Sequence, residues 1–191
     1  MRRVSLLTNK ADEPSITGSA LAMDQADQDI PDPHDELAAE LVALRQHSKN
    51  IAIIGSRNIP LPHQQLIESL AYMLAKEGNT IVTSGGSSGT NAAAIRGAMR
   101  ANPKNLIVIL PQTIGHQPSD VQDQLIGIPN IQEHPEWNMM TLADASRLCN
   151  REIVDNCQQL LSFLFHSSGT LEKAIAYAEE GRKIVTSFYL D

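Results

Sequence analysis

The chain has 191 residues, 42% of them hydrophobic and 19% charged, which suits one well-buried domain and is too little for two ordinary ones. It contains no run of about 18 apolar residues, the length that a membrane-spanning helix requires, so we expect no membrane partner. Of the net charge of -7, residues 1–47, with four basic and nine acidic side chains, carry -5, and the nearly neutral remainder argues against a broad DNA-binding surface.

The N-terminal quarter of the chain differs in composition from the rest. Residues 1–34 are acidic, polar and without sustained periodicity, which predicts a flexible tail. Its first apolar run breaks at Ser5, short of the roughly 7–15 apolar residues of an export signal, so we expect a cytoplasmic protein. Residues 35–47 then predict an amphipathic helix that docks on the domain or on a protein partner, because three leucines recur at helical spacing: Leu37, Leu41 and Leu44.

Residues 48–191 alternate between short apolar runs and amphipathic segments, with loops between them. The runs predict strands at 51–54, 80–83, 106–110, 160–165 and 183–187, with a weak strand at 130–132. The amphipathic segments predict helices at 63–77, 91–100, 142–156 and 171–180, with a short helix at 118–126. Continuous apolar strands alternating with helices predict an α/β fold, with a doubly wound, mostly parallel Rossmann-like sheet that carries helices on both faces.

The two cysteines are expected to be free. Cys149 and Cys157 are eight positions apart in one predicted helix. At a rise of about 1.5 Å per residue they lie roughly 12 Å apart, which is too far for a disulfide. Buried free thiols are typical of a reducing compartment, and no histidine pair has the spacing of a metal site, so we predict no metal and no bound cofactor.

Three loops that follow predicted strands share a composition rich in glycine and hydroxyl side chains. In a doubly wound sheet such loops emerge at one edge, where ligands bind. The second and third run into helices, whose free N–H groups and positive dipole ends bind anions, and Arg57 supplies a charge. The predicted phosphate-binding residues in these loops are Gly55, Ser56, Arg57, Ser84, Gly85, Gly86, Gly89, Thr90, Asn91, Ser167, Ser168, Gly169 and Thr170.

Each of these signals also has a purely structural interpretation. The glycines of the second loop form neither a dinucleotide motif nor a Walker loop, and they also suit a tight turn. The hydroxyls of the third loop also suit a helix N-cap, and Arg57 also suits a surface ion pair. His166 is a further candidate phosphate donor, while Trp137 fits a packing anchor better than a lid over the site.

The order of these motifs resembles a known family. Gly55-Ser56-Arg57 and Ser84-Gly85-Gly86 are followed by Asn150-Arg151 and then by Ser168-Gly169-Thr170-Leu171 with Ala174. This pattern, over about residues 50–187, resembles the Rossmann domain of the DNA-processing protein DprA (Smf) and the wider superfamily that includes the Lonely Guy (LOG) hydrolases. The resemblance implies a nucleic-acid phosphate pocket to which Arg151 also contributes, and it implies a homo-oligomer.

The two branches of this superfamily imply different functions. LOG enzymes hydrolyse nucleoside monophosphates with a glutamate at the position that Lys173 occupies here, and Glu172 is one residue early, about 100° away on a helix. We therefore predict no catalytic residue and a DprA-like protein that binds a nucleotide or single-stranded DNA through its phosphates, in DNA processing or recombination. The alternatives are a LOG-type phosphoribohydrolase that uses Glu172, and an interaction module with a regulatory nucleotide site.

Overall fold

The computed structural model describes residues 48–166 and 168–190. The predicted tail at 1–34 and the predicted helix at 35–47 lie outside the described residues. In chain order the described elements are β1 (Asn50–Gly55), α1 (Leu61–Lys76), β2 (Thr80–Ser84), α2 (Gly89–Ala101), β3 (Leu106–Ile109), α3 (Ser119–Leu125), β4 (Ile131–Gln132), α4 (Leu142–Asp155), β5 (Gln159–Leu164), α5 (Gly169–Glu180) and β6 (Ile184–Tyr189). No helix in this part of the chain is long and apolar enough to cross a membrane.

The six described strands form one parallel sheet in the order β4-β3-β2-β1-β5-β6. The chain moves outward from β1 to β4 and then returns to the other side of β1 with β5 and β6. The strand order therefore reverses between β1 and β5, and a crevice opens beyond their carboxyl ends. The predicted doubly wound, parallel Rossmann-like sheet is confirmed.

The two faces of the sheet bury separate apolar layers. Along β1, Ile51 and Ile53 pack with the layer that includes α1, α2 and α3, whereas Ala52 and Ile54 pack with the layer that includes α4 and α5. All four residues are buried. This alternation follows from the two-residue period of a strand, and it requires an apolar side chain at every position because both faces are covered by helices, as predicted.

Three helices begin two residues earlier than the sequence pattern predicts, and the first of them is α1, which begins at Leu61 rather than near residue 63. α2 begins at Gly89 rather than near residue 91, and α5 begins at Gly169 rather than near residue 171. In α2 and α5 the apolar periodicity starts only after a glycine–threonine pair. The sequence pattern therefore does not reveal the first turn of either helix. Thr90 and Thr170 therefore belong to helical first turns and not to the preceding loops.

Both cysteines are free thiols in the layer beneath α4. Cys149 lies in α4, but the helix ends at Asp155 and Cys157 follows it, so the prediction of one helix for both is wrong. The Cys149 thiol donates to the carbonyl of Ile109 at 3.3 Å, and the Cys157 thiol donates to the carbonyl of Val154 at 3.3 Å. Burial raises the pKa of Cys149 to about 12, and it also raises the pKa of Cys157. Since the thiolate is the reactive form, both groups are protected by the fold.

We expect iodoacetamide at pH 8 to leave Cys149 and Cys157 unmodified in the folded protein and to modify both within minutes in denaturant. The measurement is intact-mass spectrometry over time, with the denatured protein as the positive control. Rapid labelling of the native protein at either cysteine would contradict the burial described above.

Candidate anion-binding cleft

The loops after β1, β2 and β5 open into one cleft of about 980 Å³ at the carboxyl edge of the sheet. This volume lies at the upper end of the range typical of small-ligand sites. The structure brings together nine of the predicted site residues on its walls: Gly55, Ser56, Arg57, Ser84, Gly85, Gly86, Asn91, Ser168 and Thr170. Ser167 lies outside the described residues.

Two helices point uncapped N-termini at this cleft. Ser88 is the N-cap residue of α2 and Ser168 is that of α5, and neither side chain makes a capping hydrogen bond. By contrast, the Thr141 hydroxyl at the start of α4 accepts a hydrogen bond from the backbone N–H of Asp144 at 3.2 Å. Serine is a strong capping residue, but the Ser88 hydroxyl donates to the Arg57 carbonyl at 3.5 Å instead, and the Thr90 N–H of α2 donates to the Ser56 carbonyl. The remaining N–H groups of the two first turns are the donors that a ligand can meet.

The glycine-rich loop after β2 adds further donors. The backbone N–H groups of Gly86, Ser87 and Ser88 donate to no acceptor within the described residues. They precede α2, whose dipole places a partial positive charge at the same point. Such an arrangement of N–H groups at a helix start binds phosphate or carboxylate oxygens.

Arg57 supplies a full positive charge to the cleft wall. This residue follows β1 directly and is exposed. Its guanidinium forms no ion pair with a described residue. His166 lines the same cleft with a φ of 59°, and its ring lies 4.2 Å from that of Phe165. A free guanidinium beside unpaired N–H groups can bind two oxygens of a phosphate.

Other predicted residues connect the loops instead of lining the cleft. Thr90 is fully buried, and both its N–H and its hydroxyl donate to the Ser56 carbonyl at 3.1 Å. The Ser56 hydroxyl in turn accepts from the backbone N–H of Phe165 at 2.9 Å. These bonds join the start of α2 to the ends of β1 and β5, so Thr90 has a structural role.

Gly89 and Gly55 permit this connection. Gly89 has a φ of +72°, and a Cβ at this position would lie 2.0 Å from the Arg57 carbonyl oxygen. A Cβ at Gly55 would lie 2.4 Å from the Phe163 carbonyl oxygen. Neither position accepts a side chain, since each contact is far below van der Waals distance.

The floor and far wall of the cleft are polar. The Ser84 hydroxyl lies 3.6 Å from the Cys149 thiol, and the Asn91 amide donates to the Gly85 carbonyl at 3.4 Å. Asp120, from the first turn of α3, also lines the cleft, and a hydrogen bond from the Ser87 side chain lowers its pKa. The sequence analysis missed Asp120, although the segment after β3 reaches the same sheet edge as the three loops.

Arg151 lies outside the cleft. It lines a neighbouring cavity of about 450 Å³ between α4 and α5, where its guanidinium is 5.3 Å from the centre of the Tyr177 ring. Asn150, also missed by the sequence analysis, lines both cavities together with Thr170. Gly169 and Glu172 line neither cavity.

Trp137 also lies away from both cavities. Its ring stacks on that of His134 at 3.8 Å and packs against the apolar layer beneath α4. Its backbone carbonyl accepts a hydrogen bond from the Gln112 amide at 3.2 Å. The residue therefore anchors the irregular segment before α4 to the domain.

The fold and the cleft define a Rossmann-type α/β domain whose candidate site lies at the topological switch point. The model of the DNA recombination-mediator protein A family matches residues 37–133, about half of the chain. The chain belongs to this family, in agreement with the resemblance that its motifs indicate.

Solved structures share the same fold. DNA processing protein A from Helicobacter pylori, described for its single-stranded DNA binding mode, superposes with a TM-score of 0.60 at 22% identity, over 72% of this chain and 64% of that one. The molybdenum cofactor binding protein of Rippkaea orientalis gives 0.54 at 18% identity, over 76% of this chain and 78% of that one. The molybdenum cofactor carrier protein of Chlamydomonas reinhardtii gives 0.53 at 17% identity, over 74% and 76%.

These likenesses concern the fold alone. The chain spans less than two thirds of the length of the Helicobacter pylori protein. No curated protein sequence matches the chain significantly.

We expect Gly89→Ala to lower the free energy of unfolding by about 3 kcal/mol or more, since it combines a left-handed backbone with overlap against Arg57. Gly169→Ala is the matched control, because a Cβ there meets no described atom within 4 Å and its expected change is below about 1 kcal/mol. Urea denaturation monitored by circular dichroism measures both. Equal effects of the two substitutions would contradict the close crossing at Gly89.

Proposed function

We propose that the cleft binds the phosphates of a nucleotide or of single-stranded nucleic acid, and that the protein acts in DNA processing or recombination by binding instead of catalysis. The observation that carries this proposal is the convergence of two uncapped helix starts and Arg57 on one cleft. Each element alone has a structural explanation, but their common opening at the switch point is the arrangement that anionic ligands use.

The family supports a role in DNA processing. The chain belongs to the DNA recombination-mediator protein A family, and the Helicobacter pylori protein of the same fold is described as binding single-stranded DNA. This chain spans 64% of the Helicobacter pylori protein, so single-stranded DNA binding is a proposal for this chain.

The charges favour a single strand over a duplex as the nucleic-acid ligand. Duplex binders neutralise many phosphates with a broad basic surface. This chain has a net charge of -7, and its cleft contains the carboxylate of Asp120 as well as the guanidinium of Arg57. A narrow site of this kind fits one or two phosphates of a flexible strand.

The position of the acids supports binding over hydrolysis. A LOG-type reaction needs a carboxylate beside the ribose, and Glu172 lines neither cavity. Asp120 does line the cleft, but its carboxylate accepts a hydrogen bond from the Ser87 side chain in the loop after β2.

We expect Arg57→Gln to weaken binding of thymidine monophosphate and of a single-stranded ten-nucleotide oligothymidine by about tenfold, as the loss of a charged hydrogen bond predicts. The slope of log affinity against log salt should fall by about 0.7 for the oligonucleotide. Fluorescence anisotropy at low salt, with unlabelled mononucleotide as competitor, measures both. Lys104→Gln, an exposed charge that precedes β3 at the opposite edge of the sheet, is the control.

Absence of binding to either ligand at low salt would refute the proposal. Release of free base from a nucleoside monophosphate, abolished in Glu172→Gln, would replace it with the hydrolase alternative. Binding of the mononucleotide alone would restrict the ligand to a small phosphate compound.

A further inference from the structure

The cavity between α4 and α5 adjoins the cleft without being part of it. Asn150 and Thr170 line both, so the two spaces meet at the last third of α4 and the first turn of α5. From Thr170 the cavity follows α5 through Lys173 to Tyr177, a distance of about 10 Å along the helix axis. A ligand that leaves the cleft beside Thr170 therefore enters this cavity directly.

The charges along this path are available to an anion. Arg151 and Lys173 both line the cavity, and neither forms an ion pair with a described residue. The other basic residue, Arg147, is paired with Asp144 on its own helix. Glu180, the remaining acid on the wall, lies one turn beyond Tyr177, at the end of the path away from the cleft.

The cavity also offers a surface for a planar ring. Its walls include the apolar side chains of Met140, Leu148 and Ala174 beside the Tyr177 ring. The Tyr177 hydroxyl donates to Asp155 at 3.0 Å, which fixes the ring, and the Arg151 guanidinium lies 5.3 Å from its centre. Aromatic and guanidinium planes are the groups on which unpaired bases stack.

We propose that this cavity is a second subsite, which holds the next nucleotide of a single strand whose neighbouring phosphate lies in the cleft. Arg151 and Lys173 bind the linking phosphate, and Tyr177 with its apolar surroundings receives the base. The inference rests on the proposed function, because it needs a strand anchored in the cleft. It assigns to Arg151 a role separate from that of Arg57.

Ligands of different length distinguish the two sites, because a mononucleotide is expected to occupy only the cleft and an oligonucleotide is expected to occupy both. We expect Arg151→Gln and Lys173→Gln to leave the affinity for thymidine monophosphate unchanged and to weaken binding of the ten-nucleotide oligothymidine by about threefold to tenfold each. Each should lower the salt slope of the oligonucleotide by about 0.7. Arg57→Gln weakens both ligands, and Lys104→Gln weakens neither. Lys173 is exposed, so its variant tests the subsite even if Arg151→Gln lowers the stability of the fold.

A photochemical readout locates the base. A ten-nucleotide oligothymidine that carries one 5-iodouracil is expected to crosslink to Tyr177, and mass spectrometry of the digested complex identifies the residue. Full oligonucleotide affinity in both variants, with Arg57→Gln still defective, would overturn the second subsite and leave the proposed function standing. No binding of either ligand to the unaltered protein would overturn both.

Discussion

The backbone crossing at the end of β1 leaves no room for a side chain, and the geometry of the cleft depends on it. At Gly89 the chain enters α2 in a left-handed conformation while pressed against the Arg57 carbonyl, and at Gly55 the end of β1 is equally close to β5. Only glycine satisfies both conditions, since a Cβ would lie 2.0 Å from the Arg57 oxygen and 2.4 Å from the Phe163 oxygen. The crossing places the start of α2 beside the loop that carries Arg57.

The hydroxyl groups of the three loops form two sets. Thr90 and Ser56 form hydrogen bonds within the protein and join α2, β1 and β5. Ser88 and Ser168 occupy the N-cap positions but leave their helices uncapped, and the Ser88 hydroxyl donates to the Arg57 carbonyl at 3.5 Å instead. The first set joins the three loops, so the backbone N–H groups at the two uncapped helix starts have fixed positions in the cleft wall.

The sheet and the cleft loops can be predicted from short stretches of sequence, because short stretches of sequence determine them. A continuous apolar strand such as 51–54 has to be covered on both faces, and parallel strands place their following loops at one edge. The position of Arg151 depends instead on which face of α4 it occupies, because successive residues of a helix are about 100° apart around its axis. Cys149 is therefore buried, Asn150 lines both cavities and Arg151 lines only the outer one. Asp120 escaped prediction because the pattern that predicts the short helix at 118–126 does not indicate which of its residues faces the cleft.

An acidic chain is compatible with an anion site when the site relies on dipoles more than on net charge. The cleft contains both Arg57 and Asp120, so their formal charges nearly cancel at a distance. What remains close to a ligand is the set of N–H groups at Gly86–Ser88 and at the two helix starts, whose partial charges act only over short range. Binding then depends on how closely a phosphate approaches those groups. The backbone crossing at Gly89 fixes where α2 begins, so a steric constraint in the fold positions the N–H groups at that helix start.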